Sequence, residues 1–493
     1  MSGEEVTGSA IRRDRFSGGP ARDFLSSLAA DERIFAADLA VDRAHVVMLA
    51  EQGIVDAEST SAILGAVAEI ESAGFEALPD GEDVHEAIES AVIDRVGPAG
   101  GRMHTARSRN DEVATCIRYR LRGDLLDAIE AVCGLREALL ATATDHLDTT
   151  MPGYTHLQPA QPTTVAHYLS SYAAALERDT ERLFDAYTRV NRSPLGAGAF
   201  AGTTFDVDRE RTVELLGFDS VLTNAMDAVS TRDFCFESVA ALAGVSLTLS
   251  GIAEDFLHFA NRGYVELSDD YASTSSIMPQ KKNPDTLELV RASAGDASAG
   301  LNALLTVLKG LPRAYNRDLQ DATSHAWRTV DSVGAATDVT AGAVATATWN
   351  EAALGEAAAE GFSTATGVAD LLASRGIPFR MAHEVVATAA ERLAGDELAD
   401  PAAQRDAIEA AAGTILDDAL DTYVSPEAVT AALDPHESVV GRDSVGGPAP
   451  ERVGESIDDA REALRADEET LTARRTLLAT ADERLATEVS ARV

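Results

Sequence analysis

Hydrophobic residues recur at helical spacing over most of the chain. The clearest stripe is Ile117, Leu121, Leu125, Ala128, Val132, Leu135 and Leu139, whose steps of 4, 4, 3, 4, 3 and 4 place one apolar face on a long helix. Further long helices are predicted from about Thr163 to Asn191, Asp227 to Arg262, Pro284 to Lys309 and 314 to Asn350, making five in the middle of the chain. Shorter stripes come earlier: Phe24, Leu28, Ile34 and Phe35, then Val84, Ile88 and Val92 after a Pro79-Asp80-Gly81 turn. Residues 1 to about 20 read as a loose arm rich in Gly, Ser and Arg. From about 355 the pattern changes to two short helices around Gly376-Ile377-Pro378, a Gly/Pro loop over 434–453 and a closing amphipathic helix, 454–490. The expected fold is all-α. Its expected parts are an N-terminal helical domain (1–105), a central long-helix bundle (106–354) and a small C-terminal helical domain (355–493).

Three interruptions between the long helices carry polar chemistry. In 151–164, Pro152, Gly153, Pro159 and Pro162 break any helix, with His156 between them. The glycine-rich 192–209 lacks the Gly-Lys-Ser/Thr ending of a phosphate loop. In 273–288, Ser/Thr residues and Pro279 exclude a stable helix, and a new helix then starts with Asn283 at its N-cap, Pro284 in its first turn, and Asp285 and Glu288 following. A polar loop feeding a helix N-terminus, with Lys281 beside it, suits a substrate that carries carboxylates.

Composition narrows the function. The chain has 81 acidic against 41 basic residues, a net charge of -40, and only three lysines, Lys281, Lys282 and Lys309. Phosphate binding needs the opposite sign, so nucleic acid is not an expected partner. Self-repulsion at this charge is screened in about 1 M salt, where the Debye length is ~3 Å, and a salt-adapted cytoplasmic protein is expected. Cys116, Cys133 and Cys235 have neither metal-ligand nor disulfide spacing and read as buried thiols of a reducing compartment. The first residues lack the apolar stretch of a signal peptide, and the uncharged run Ser238 to Ala253 is too short and polar to span a bilayer. No metal or organic cofactor is expected, and no membrane partner.

Thr274 to Asn283, TSSIMPQKKN, resembles the GSS-x-x-P-x-K-x-N signature of the fumarase/aspartase superfamily, and the MPQKKNPD form is similar to that of argininosuccinate lyases. Other blocks follow in order: FLSSLAADERIFAADLAVD (24–42), EDVHEAIE (82–89), HTARSRNDEVAT (104–115), GYTHLQ (153–158), TNAMDAVSTRDFCFE (223–237) and AYNRDLQDATSHAW (314–327). Four positions depart from the family pattern. Thr274 and Ala106 stand for glycine, Glu112 for glutamine and Thr323 for lysine. The first removes backbone freedom from a loop that must move, and the last removes a positive charge that another Arg would have to supply.

The resemblance implies a homotetramer in which each active site draws on three chains, and elimination of fumarate from argininosuccinate. It implies Ser275 as the base that takes the succinyl Cβ proton, Lys281 and Asn283 holding the resulting aci-carboxylate, and His156, oriented by Glu288, as acid or orienting group. Implied substrate contacts are Ser27, His85, Arg107, Arg109, Asn110, Thr155, Asn224, Arg232, Asn283, Tyr315 and Gln320. Two other readings stay open: a superfamily lyase for another succinyl substrate, and a non-catalytic structural relative like the lens δ-crystallins.

Overall fold

The computed structural model describes residues 21–493, so the N-terminal arm lies outside the described residues. Helices α1 (Phe35–Glu51), α2 (Ala57–Ala73) and α3 (Val84–Val96) form the N-terminal unit, closed around Leu39, Val47, Leu64, Val67, Ile88 and Val92. The central body is α4 (Arg109–Asp145), α5 (Val165–Val190), α6 (Asp233–Arg262), α7 (Asp285–Leu308) and α8 (Asp318–Thr346). All seven residues of the Ile117–Leu139 stripe are buried in its core.

Helix α4 starts where it does because Ser108 Oγ accepts from the N–H of Asn110 at 3.3 Å while Asp111 accepts from the N–H of Ser108 at 2.9 Å. The other oxygen of Asp111 accepts the N–H groups of Gly196 and Gly198, both at 2.9 Å. This ties the glycine-rich segment to the start of α4, and both glycines take positive φ to do it.

Ala106, which stands for the family's glycine, has φ +62. A Cβ in the left-handed region costs about 1–2 kcal/mol. Ala106→Gly is therefore expected to stabilise the protein by about 1 kcal/mol net of the freer unfolded chain, read as a raised denaturation midpoint in molar salt.

Thr274 has a different setting. It lies in β4 (Ser273–Thr274), paired antiparallel with β5 (Lys282–Asn283), and extended backbone suits a β-branched residue. The loop 273–283 is thus a small hairpin, and Asn283 is a strand residue opposite Ser273 rather than an N-cap. Pro284 takes the cap position of α7, without a side-chain cap bond. The interruption at 151–164 is also a hairpin, β1 (Thr150–Thr155) with β2 (Gln158–Thr164). Its prolines sit on a two-stranded ribbon, where a missing N–H costs little. Gly153 is required there, since a Cβ would collide with the Gln161 carbonyl.

The C-terminal unit has its own core of Phe362, Val368, Leu372, Val385, Ile408 and Leu433. The final helix, α9 (Pro450–Ser490), leaves it. Its Val453, Ile457, Leu464 and Leu471 join the central core and Leu485 the N-terminal core, so it packs away from the unit in which the sequence placed it. Helix α6 is long and apolar enough by composition to cross a membrane, longer than its uncharged run suggested. Its apolar face is the spine of the bundle, with Phe234, Leu242, Leu249 and Phe256 buried.

Candidate functional site

Helices α4, α6 and α8 start together. Asn110, Val113 and Ile117 at the start of α4, Arg232 just before α6, and Leu319, Gln320 and Thr323 in the first turns of α8 all line one cavity of about 680 Å³. The cavity also takes in Ser27, His85, Arg109 and Tyr315, so seven of the implied substrate contacts meet in it. Ser27 Oγ donates to Asp31 at 2.7 Å, and Asn110 Nδ2 donates to the carbonyl of Ala199 at 3.1 Å. Gln320 Nε2 donates to the carbonyl of Leu25 at 3.3 Å and its Oε1 accepts from Arg317 at 3.1 Å. Arg109 lies 3.4 Å from Asp83. Arg232 is buried and donates to the carbonyls of Val229 and Thr231; burial weakens its hold on its proton.

Behind this wall lies a buried ionic knot. Arg107 reaches Asp42 at 2.7 Å and Glu112 at 2.9 Å, and His85 Nδ1 lies 2.8 Å from Asp38 and 3.8 Å from Glu112. Arg107 is thus occupied inside the protein and does not line the cavity. Burial opposes the charge on His85, but Asp38 and Glu112 outweigh it and hold the imidazolium up to about 10. Burial pushes Asp42 up to about 7 and Glu112 well above the usual carboxylate range. Asp38, despite burial, is held low by His85 and Arg107. Asp38, Asp42 and Glu112 approach closely enough to grip a cation, and the guanidinium of Arg107 fills that role. Glu112 stands where the family has glutamine, and its carboxylate belongs to this knot.

Apart from Asn224, which lies just before α6 at the cavity end, the remaining implied residues are at the other end of the molecule. Trp349, just past α8, packs edge-on to Phe256 late in α6, to His146 past α4, and to Tyr168 in the first turn of α5. The strands β3 (Val265–Glu266) and β6 (Thr348–Trp349) pair there too; counted with them in chain order, the 273–283 hairpin is β4–β5. Three helices therefore run side by side from the cavity to this end. With 30 residues, α6 spans about 45 Å. His156 sits on the hairpin after α4, and Ser275, Lys281, Asn283 and Glu288 sit after α6, a helix length from the cavity of the same chain.

This far end has its own order. His156 and Leu157 form the two-residue tip of β1–β2 with φ +55 and +58. Two-residue hairpins demand positive φ at both positions, normally met by Asn-Gly, so the tip carries strain in support of an exposed His156 beside an exposed Thr155. Ser275 Oγ accepts from the N–H groups of Ile277 at 3.3 Å and Met278 at 3.0 Å. Lys282 pairs with Glu266 at 3.1 Å and Asp269 at 2.8 Å, whereas Lys281 is exposed with no ion pair among the described residues. Within the chain His156 makes no hydrogen bond to Glu288 among the described residues; both are exposed. At the cavity end Asn224 caps the helix Ala225–Ser230, accepting from the N–H of Asp227 at 3.0 Å, and does not line the cavity.

Two cavity residues escaped the sequence reading. Arg317 lines the cavity on the same segment as Thr323, with its guanidinium on Glu82 and Gln320; the Thr323 hydroxyl is turned to the carbonyl of Leu319 at 3.4 Å. Asp31 lies one helical turn after Ser27, and that spacing was its only sequence signal.

Comparison with known proteins shows the family. A family described as "Lyase" matches residues 23–298, and one described as "Argininosuccinate lyase C-terminal" matches 362–440. The argininosuccinate lyase of Natronomonas pharaonis is 66% identical over 98% of this chain and 97% of its own length. That of Haloarcula marismortui is 64% identical over 97% and 95%. Among solved structures, EDDS lyase in complex with formate superposes with a TM-score of 0.85 at 35% identity, covering 96% of each chain. The class II fumarase of Schistosoma mansoni shares the fold, with a TM-score of 0.69 at 14% identity over 82% of this chain and 90% of its own. The chain belongs to the argininosuccinate lyase family of the fumarase/aspartase superfamily.

Proposed function

We propose that the protein eliminates fumarate from argininosuccinate to leave arginine, as a step of arginine synthesis in a salt-adapted cytoplasm. It does so in sites built from more than one subunit of a homotetramer.

The observation that carries the chemistry is the setting of Ser275. A serine is a poor base because its alkoxide is unstable in water. Two backbone N–H groups aimed at Oγ stabilise that charge, and the free ammonium of Lys281 adds to the field at the same hairpin. Ser275 takes the succinyl Cβ proton. The electron pair moves into the adjacent carboxylate, which Lys281 and Asn283 hold as the aci-carboxylate. Its collapse forms the carbon–carbon double bond of fumarate and expels the guanidino nitrogen of arginine, with His156 and Glu288 serving proton delivery. Arg109, Asn110, Arg232, Tyr315 and Gln320, with Ser27 and His85, hold the rest of the substrate in the cavity.

A shared site follows from the separation of cavity and hairpins by the length of α6. Exposed leucines on the bundle support assembly: Leu247 is 72% exposed on α6, and Leu289 and Leu305 are 74% and 50% exposed on α7. Association of bundles would set one chain's hairpins over another's cavity, with the exposed Ile277 at the hairpin tip.

The test is spectrophotometric detection of fumarate from argininosuccinate at low and at molar salt. Turnover is expected in molar salt, with loss at low salt as 81 acidic residues repel one another. Absence of fumarate at every salt concentration would overturn the reading.

A further inference from the structure

One acid in the cavity wall is left over. The wall contributes Asp31, Glu82, Asp83 and Asp321 as acids. Asp83 faces Arg109 at 3.4 Å, Glu82 pairs with Arg317, and Asp321 lies 3.7 Å from His325. Asp31 has no ion pair among the described residues. One oxygen accepts from Ser27 Oγ at 2.7 Å and from the N–H of Val84 at 3.3 Å, which fixes the carboxylate in place. The nearby cation, His85, is held by Asp38 on the far side at 2.8 Å. Burial pushes Asp31 up to about 6, with His85 and the two hydrogen bonds pulling the other way. An oriented, partly dehydrated carboxylate in a ligand cavity lacks a cation, and a ligand that brings one relieves the cost.

We propose that Asp31 is the specificity residue that holds the α-ammonium at the amino-acid end of the substrate. This rests on the reaction proposed above. Argininosuccinate carries two cationic groups. Its guanidinium bears the nitrogen that leaves, so it must face the base and cannot also occupy a fixed anion remote from the reacting bond. The α-ammonium is the group free to do so. Ser27 then acts mainly as a positioning residue: its hydroxyl orients Asp31.

The experiment compares argininosuccinate with its desamino analogue, in which hydrogen replaces the α-ammonium, using the full chain in molar salt. The parent enzyme is expected to lose about 10- to 100-fold in kcat/KM with the analogue, mostly through KM. Asp31→Asn keeps a carbonyl oxygen for Ser27 and Val84. It is expected to lose a similar factor with argininosuccinate and to treat both substrates alike. A merely structural Asp31 would lower both substrates equally and leave discrimination intact, which overturns the proposal. Equal use of both substrates by the parent enzyme overturns it without any variant. Absence of fumarate from argininosuccinate itself is a different result, since it defeats the reaction assignment.

Discussion

Ser275→Ala is expected to lower kcat by about 10²–10⁴-fold while leaving KM and the unfolding midpoint close to those of the parent. The residue sits on an exposed two-stranded hairpin, and its Oγ contacts are two backbone N–H groups that water can serve instead. Removing Oγ therefore costs little in folding and removes the proton acceptor from the chemical step. Lys281→Met is expected to lower kcat as well, because the free ammonium beside the hairpin favours the charge that develops. Lys282 provides the contrast. It is spent on Glu266 and Asp269, so Lys282→Met should leave turnover nearly unchanged. Full turnover by the Ser275→Ala enzyme in steady-state assays would remove the base assignment.

Arg107→Ala is expected to cost about 3–5 kcal/mol of stability, the largest folding effect predicted here. The guanidinium side chain is 1% exposed and faces Asp42 and Glu112. Without it, three carboxylates share a buried space with His85 alone, and unpaired charge in the interior is expensive. Arg109→Ala, two residues on, removes a partly exposed guanidinium 3.4 Å from Asp83 and should cost about 1 kcal/mol or less. Denaturant unfolding of both variants in molar salt measures the difference. Equal, small losses would mean that the ionic knot does not support the N-terminal unit. Because Arg107 backs the cavity rather than lining it, its effect on substrate affinity should appear only through the fold.

Much of this arrangement is legible in the residues. Stepwise apolar spacing marks the five central helices, because a buried helical stripe leaves a period of 3.6 in any sequence. The breaks between them mark the segments proposed to react. What the breaks become is less legible. Pro152, Pro159 and Pro162 rule out helix without announcing a hairpin, since the pairing partner is chosen by contacts across the ribbon. Asn283 has the side chain of an N-cap, yet pairing with Ser273 claims it for a strand. The closing helix shows an amphipathic pattern but no address: its partners are α4 and α5, more than 250 residues away in sequence.

The site divides in the same way. Motif resemblance names Arg107 and Arg109 in one breath, and only burial separates the one that balances Asp42 from the one that lines the cavity. Asp31 has no signal of its own in the sequence, because an aspartate in a helical stretch is ordinary until its surroundings are known. Thr323 stands in the same wall as Arg317, whose charge is met by Glu82.

Mixing subunits tests the shared site most directly. Asn110→Ala damages the cavity and Ser275→Ala the hairpin, so each homo-oligomer is expected to be nearly inactive. Dissociated at low salt and reassembled together in molar salt, the two should regain a substantial share of parent fumarate release, because mixed oligomers contain sites that join an intact cavity to another chain's intact hairpin. Activity no greater than the sum of the separate variants, from oligomers shown to be mixed, would contradict the account.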